Sequence, residues 1–241
     1  MLALAHAQLG ASLTGFEVMG RFALSLVARH FPQQRVPFMS ATLTDAPLWG
    51  VLLESSDHES LEHARAQLER LLESALELQL VSDAVVAESL AQAQALWHIR
   101  ESIPLAQALE GLNIKHDISL AVSTIPEFVR STDALLGQRV PGVRLVNFGH
   151  LGDGNLHYNV QAPVGVDAAD FLQAHEGAVN TLVFDAVSRF DGSISAEHGI
   201  GSLKVAKLEQ HKSPVALQMM RAIKQALDPK NMMNPGVVLR R

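Results

Sequence analysis

The chain has 241 residues, of which 48% are hydrophobic and 18% charged, enough to bury a full core in one large or two small domains. A net charge of −6 with scattered Lys and Arg gives no basic footprint for nucleic acid, and no run of about eighteen apolar residues suggests a membrane span. With no cysteine, disulfides, thiolate metal sites and cysteine nucleophiles are excluded, so any metal must be held by nitrogen and oxygen ligands.

The N-terminal Met1 to Gly10 segment has no basic region ahead of its short apolar stretch, and the chain is read as soluble, unexported and cytoplasmic. Gly15 to Phe31 carries apolar residues at helical spacing and ends at Pro32; Leu48 to Leu53, after Pro47, reads as a short buried strand. Ser60 to Leu78 is an amphipathic helix with Leu61, Ala64, Leu68, Leu71, Leu72 and Leu76 on one stripe, and Val81 to Val86 reads as the next strand. Ser89 to Arg100 is helical, Ile114 to Leu120 a strand, and Pro126 to Leu136 a helix opened by its proline. Leu156 to Gln161, a helix from about Ala168 to Arg189, and a short strand around Ser193 to Ser195 repeat the order strand, helix, strand. The expected fold is one α+β domain over residues 1–241, a mostly antiparallel sheet with helices packed on it, built from duplicated ferredoxin-like strand-helix-strand units.

The densest local signal is Phe148-Gly149-His150-Leu151-Gly152-Asp153-Gly154-Asn155-Leu156-His157-Tyr158-Asn159. Asp153-Gly154 is a two-residue hairpin signal, and a turn there makes His150 and His157 a direct cross-strand pair with Cβ atoms roughly 4.5–5.5 Å apart. Asn159 then shares the face of His157, while Leu151 and Leu156 point into the core. Downstream, Ser195-Ala196-Glu197-His198-Gly199-Ile200-Gly201 brings a carboxylate and an imidazole to one turn, which Gly199 permits. Glu197 would complete a His-His-Glu ligand set, leaving His198 free as a base. A third cluster, Arg100-Glu101-Ser102-Ile103-Pro104 followed by Lys115-His116-Asp117-Ile118-Ser119, suits anion capture: Arg100 at a helix end as a bidentate grip, Lys115 as a point charge. His6, His30, His58, His63 and His211 have no partner at metal-like spacing. Asn234-Pro235-Gly236 is a turn that ends the last helix, and no glycine pattern makes a phosphate loop.

In this order, Arg100 to Pro104, Lys115 to Ser119, Gly149 to His157, Ser195 to Gly201 and Asn234-Pro235-Gly236 resemble the FAD-linked oxidases related to D-lactate, glycolate and D-2-hydroxyglutarate dehydrogenases. The resemblance is to their C-terminal substrate domain, from about Ala11 to the end of the chain, and nothing in the chain matches their preceding flavin-binding domain. It implies His150, His157 and Glu197 as ligands of a divalent metal, zinc first. It also implies His198 as the base, Arg100 and Lys115 on the substrate carboxylate, Asn159 near metal or substrate, and Asn234 toward FAD. The implied reaction is oxidation of a D-2-hydroxy acid to the 2-oxo acid with hydride transfer to FAD. The implied partners are the small acid and a flavin-binding domain or subunit, with electrons leaving through an acceptor at the inner membrane. Pro104 stands where some members carry a hydroxyl residue that touches substrate. Without the flavin domain the chain is expected to be inactive, and its uncovered apolar surface permits a homo-oligomer. Two other readings fit the same residues: a non-catalytic carboxylate-binding module, and a stand-alone zinc hydrolase using the two histidines and Glu197.

Overall fold

The computed structural model describes residues 1–39 and 48–240. The chain opens with α1 (Leu2–Leu9) and enters β1 (Leu13–Gly20), where the residue pattern predicted a helix. Phe16, Glu17, Val18, Met19 and Gly20 are all buried, because β1 lies inside the sheet with both faces covered. Burial on both faces erases the alternation that would have marked it as a strand. The helical part of that stretch is α2 (Arg21–His30) alone.

β2 (Trp49–Ser55) is an edge strand with alternating burial rather than a fully buried run; Pro47 lies outside the described residues. α3 (Leu61–Glu77) is capped by the Ser60 hydroxyl, which accepts from the His63 N–H at 3.1 Å, and buries Leu71 and Ala75. No strand follows at Val81 to Val86. α4 (Leu90–Glu110) starts on a Ser89 cap and runs past Arg100 and straight through Pro104, ten residues beyond the predicted end. The predicted strand at Ile114 to Leu120 is broken into β3 (Asn113–Ile114) and β4 (Asp117–Ser119), both paired to β6. α5 (Ile125–Arg139), β5 (Arg144–His150), β6 (Asn155–Gln161) and α6 (Ala168–Arg189) agree with the expected elements, α6 at both ends. Among the described residues Ser193 makes a single bridge, to Ser119, so the second strand-helix-strand unit closes no more than the first does. α7 (Val205–His211) and α8 (Pro214–Leu227) complete the chain. α8 ends at Asp228, whose carboxylate accepts the Met232 and Met233 N–H groups, so the Asn-Pro-Gly turn comes after the helix has already stopped.

The class is α+β. Among the described residues every pairing is antiparallel, in the order β2-β1-β5-β6-β3 with β4 also on β6. One face carries α2 and α4, packed on Met19, Val146 and Phe148. The other carries α5 and α6, packed on Leu156, Tyr158 and Val160, while α1 and α3 cover Phe16 and Val18 at the β1 end. Strand alternation therefore sends the odd residues Glu17, His157 and Asn159 toward the α4 face, where Arg100 and Gln107 of that helix bond to Glu17 and Asn159.

Among the described residues, no helix is long and apolar enough to cross a membrane. α8 leaves Val215, Met219, Ile223 and Leu227, spaced four apart, exposed on one stripe beside Met232 and Met233.

Candidate active site

The hairpin between β5 and β6 is wider than a two-residue turn. Leu151 to Asp153 form a single 3-10 turn, Gly154 takes a left-handed φ of 71° and donates to the Leu151 carbonyl, and the ladder pairs His157 with Phe148. His150 is thus not the cross-strand partner of His157; it lies opposite Glu17 on β1. The two-residue offset preserves the face, because side chains alternate with period two, so both imidazoles still reach the same site with ring centroids 6.5 Å apart. Gly154 is required: a Cβ there would lie 2.1 Å from the Leu120 carbonyl oxygen.

Glu197 comes to this pair from the loop after α6. Its carboxylate lies 3.1 Å from His150 Nε2 and 3.9 Å from His157 Nε2, and ligand atoms of all three residues fall within 4.8 Å of one another. Asn155 Nδ2 donates to Glu197 Oε1 at 2.5 Å. The loop is held by Asp117, which is buried on β4 directly opposite His157 and accepts the N–H groups of Ala196 (3.2 Å), Glu197 (3.1 Å) and His198 (2.9 Å). Burial pushes the Asp117 carboxyl up, but the hydrogen bonds from His198, Glu197 and Ala196 outweigh it and hold the group below its ordinary value. Three donors converging on one carboxylate turn the backbone so that neighbours in sequence serve one site. The His198 ring reaches 5.9 Å, centroid to centroid, from His157 and stays exposed.

Burial is the largest influence on His157 and lowers its pKa, with Arg100 and His198 adding to the effect against Glu197 and Asp117. A neutral imidazole is the form that binds a metal. His150 satisfies a second requirement, since its Nδ1 is hydrogen-bonded to Glu17 and Nε2 faces the site. The donor set of two imidazoles and one carboxylate suits a divalent ion with an open position for a substrate oxygen.

Arg100 is not at a helix end. It sits in the middle of α4, buried, with its Nε donating to Glu17 Oε2 at 2.6 Å and its guanidinium 4.9 Å from the Phe148 ring centroid. Its terminal nitrogens have no protein partner among the described residues, which leaves a two-pronged donor for an anion. Pro104, one turn on, has no N–H to give the Arg100 carbonyl. Asn159 is buried and used by the scaffold: Oδ1 accepts from the His116 N–H and Nδ2 donates to Gln107. Lys115 is exposed between β3 and β4, and Asn234 is exposed on the C-terminal turn at a φ of 46°; neither side chain has a partner among the described residues. The turn carrying Asn234 is nonetheless tethered near the site, because the Val238 N–H donates to the Gly201 carbonyl at 2.8 Å.

Glu17, Asp117 and Asn155 complete the constellation without belonging to the predicted set. Glu17 was hidden inside a predicted helix. A lone carboxylate within Phe16-Glu17-Val18-Met19 and another within His116-Asp117-Ile118 were the available signals, since buried charges need partners.

The comparisons with known proteins agree on one relationship. Residues 2–238 match the family described as FAD linked oxidases, C-terminal domain. This chain belongs to that family. A D-2-hydroxyglutarate dehydrogenase of Xanthomonas citri pv. viticola is 39% identical over 224 residues, covering 93% of this chain and 45% of the relative. A mitochondrial D-2-hydroxyglutarate dehydrogenase of Arabidopsis thaliana is 35% identical over 99% of this chain and 40% of the relative. The FAD-linked oxidase domain described here thus spans less than half the length of these relatives. A solved 4-ethylphenol oxidase from Gulosibacter chungangensis, in complex with isoeugenol, shares the fold over 97% of this chain and 48% of its own, with a TM-score of 0.57 and 15% sequence identity.

Proposed function

We propose that this domain is the substrate-binding part of a flavin-dependent oxidoreductase that converts a D-2-hydroxy acid, of the 2-hydroxyglutarate class, to the 2-oxo acid. The observation that carries the reading is the convergence of His150 from β5, His157 from β6 and Glu197 and His198 from the loop after α6, with Arg100 of α4 joined to His150 through Glu17. The similarity to D-2-hydroxyglutarate dehydrogenases supports the same chemistry.

In this reading His150 Nε2, His157 Nε2 and Glu197 hold a divalent ion, zinc first. Bound there, the ion would supply Lewis acidity toward a 2-hydroxyl, and a flavin would supply the hydride-acceptor chemistry. Everything else falls to the chain. Arg100 binds the substrate carboxylate with its free terminal nitrogens, its charge kept in place by Glu17. His198, exposed beside His157, takes the hydroxyl proton. Burial lowers the His157 pKa and so favours the neutral, ligating imidazole. Lys115 and Asn234 are assigned outer roles, toward substrate carboxylate and flavin, while Asn159 acts by fixing the strand that carries His157. The flavin is held mainly by residues outside this chain, and the exposed stripe of α8 is a surface available to that part of the enzyme.

The test is metal content after zinc loading and desalting of the wild-type chain and of His157→Ala. About one equivalent kept by wild type and lost by the variant supports the site. No metal in either overturns the ligand assignment, and hydroxy-acid oxidation by this chain with added FAD alone would overturn the assignment of the flavin site elsewhere.

A further inference from the structure

Glu17 is buried in the sheet interior and has no role in the ligand set or in proton transfer, yet its two oxygens are both committed. Oε2 accepts from Arg100 Nε at 2.6 Å, and Oε1 is bonded to His150 Nδ1. A buried carboxylate placed between a cation and an imidazole fixes both, since neither can turn away without stranding a charge. It comes from β1, and its register opposite His150 is set by the β1–β5 ladder rather than by side-chain flexibility.

We propose that Glu17 is the positioning residue of this site, fixing His150 with its proton on Nδ1 so that Nε2 faces Glu197, while the other oxygen aims the terminal nitrogens of Arg100. The inference rests on the reading that His150, His157 and Glu197 bind a divalent ion. A carboxylate that accepts from Nδ1 selects the tautomer whose Nε2 lone pair is free for a metal. The other oxygen, Oε2, holds Arg100 through Nε, leaving its terminal fork unused. One side chain therefore sets the geometry of both the metal subsite and the anion subsite.

The experiment uses zinc alone as the probe, titrated into the wild-type chain, into Glu17→Gln and into the double variant Glu17→Gln with Arg100→Gln. The double variant removes the unpaired buried guanidinium that the single change leaves, so that a folded protein can be titrated even where Glu17→Gln alone is too unstable. Zinc affinity should fall about 10–100-fold in both variants. In the metal-free proteins, long-range nitrogen NMR of the ring should show His150 protonated on Nδ1 in wild type and shifted toward Nε2 protonation in the variants. A merely structural Glu17 would lower thermal stability without moving the tautomer. Equal zinc affinity with an unchanged tautomer overturns the proposal and leaves the metal reading standing. Failure of the wild-type chain itself to bind zinc overturns the metal reading, and this role with it.

Discussion

Asp117 lies directly across the β4–β6 ladder from His157 and reaches past it to hold the backbone N–H groups of residues 196–198. One buried carboxylate therefore fixes the position of Glu197 and His198 against the strand that carries His157. Asp117→Asn keeps the size but replaces one accepting oxygen with a donor. Zinc affinity should fall about 10–100-fold, and the loss of charge-assisted bonds should cost about 1.5–3 kcal/mol of stability. Zinc titration and urea unfolding check both; a variant equal to wild type in the two measurements rules out the clamp.

Gly154 and Gly152 separate two roles of glycine in the same turn. A Cβ at Gly154 would strike the Leu120 carbonyl oxygen, and its φ of 71° disfavours any other residue, whereas none of the described residues lies within 4 Å of a Cβ at Gly152. Gly154→Ala should destabilise the chain by more than about 1–2 kcal/mol, the cost of the left-handed backbone alone. Gly152→Ala should stay within about 0.5 kcal/mol of wild type. Denaturant midpoints decide between them, and equal midpoints would contradict the turn geometry.

His116 is buried against Tyr158 and Phe184, donates from Nδ1 to the Tyr158 carbonyl at 2.8 Å, and has its pKa lowered by burial to about 4. Folded His116 stays neutral where the unfolded chain would protonate it, so the unfolded state binds more protons between pH 6.5 and about 4. Stability should drop as pH falls through that window, by about 3 kcal/mol for this group alone. Asp117, with its lowered pKa, adds its own loss only below the ordinary carboxylate range. Urea midpoints measured across this range should show the decline in wild type and a smaller one in His116→Gln; parallel curves would refute it.

Tyr158 is fully buried, and its hydroxyl donates to Asp133 at 2.5 Å. Burial raises the Asp133 pKa even against the hydrogen bonds from Tyr158 and Asn147. Removing the hydroxyl in Tyr158→Phe should cost about 1–3 kcal/mol, because Asp133 loses one of its two donors in a largely buried setting. Thermal unfolding at neutral pH measures the loss, and a fully stable variant would mean that the hydroxyl is dispensable.

The sequence by itself determined the chemistry available and much of the local structure. Without cysteine only imidazole and carboxylate ligands remain, and the serine-capped helix α3 and the long helix α6 declare themselves through caps and periodicity. The motif order also carried the family, because residue types at fixed spacing survive even where the elements between them are misread. Tertiary structure decided the rest. β1 is covered on both faces, so its apolar run carried no period by which a strand could be told from a helix. The helix α4 continued through Pro104 because packing of Ile99, Ile103 and Ala106 against the sheet overrides one missing hydrogen bond. The register of the histidines was set by a 3-10 turn that seats Gly154 under Leu120, a contact 34 residues away in the chain and invisible to local turn rules. Glu17 and Asp117 became parts of the site only when β1 and β4 were laid against the strands that carry His150 and His157. A buried carboxylate acquires its meaning from partners brought by the fold, and those partners lie 133 and 81 positions away.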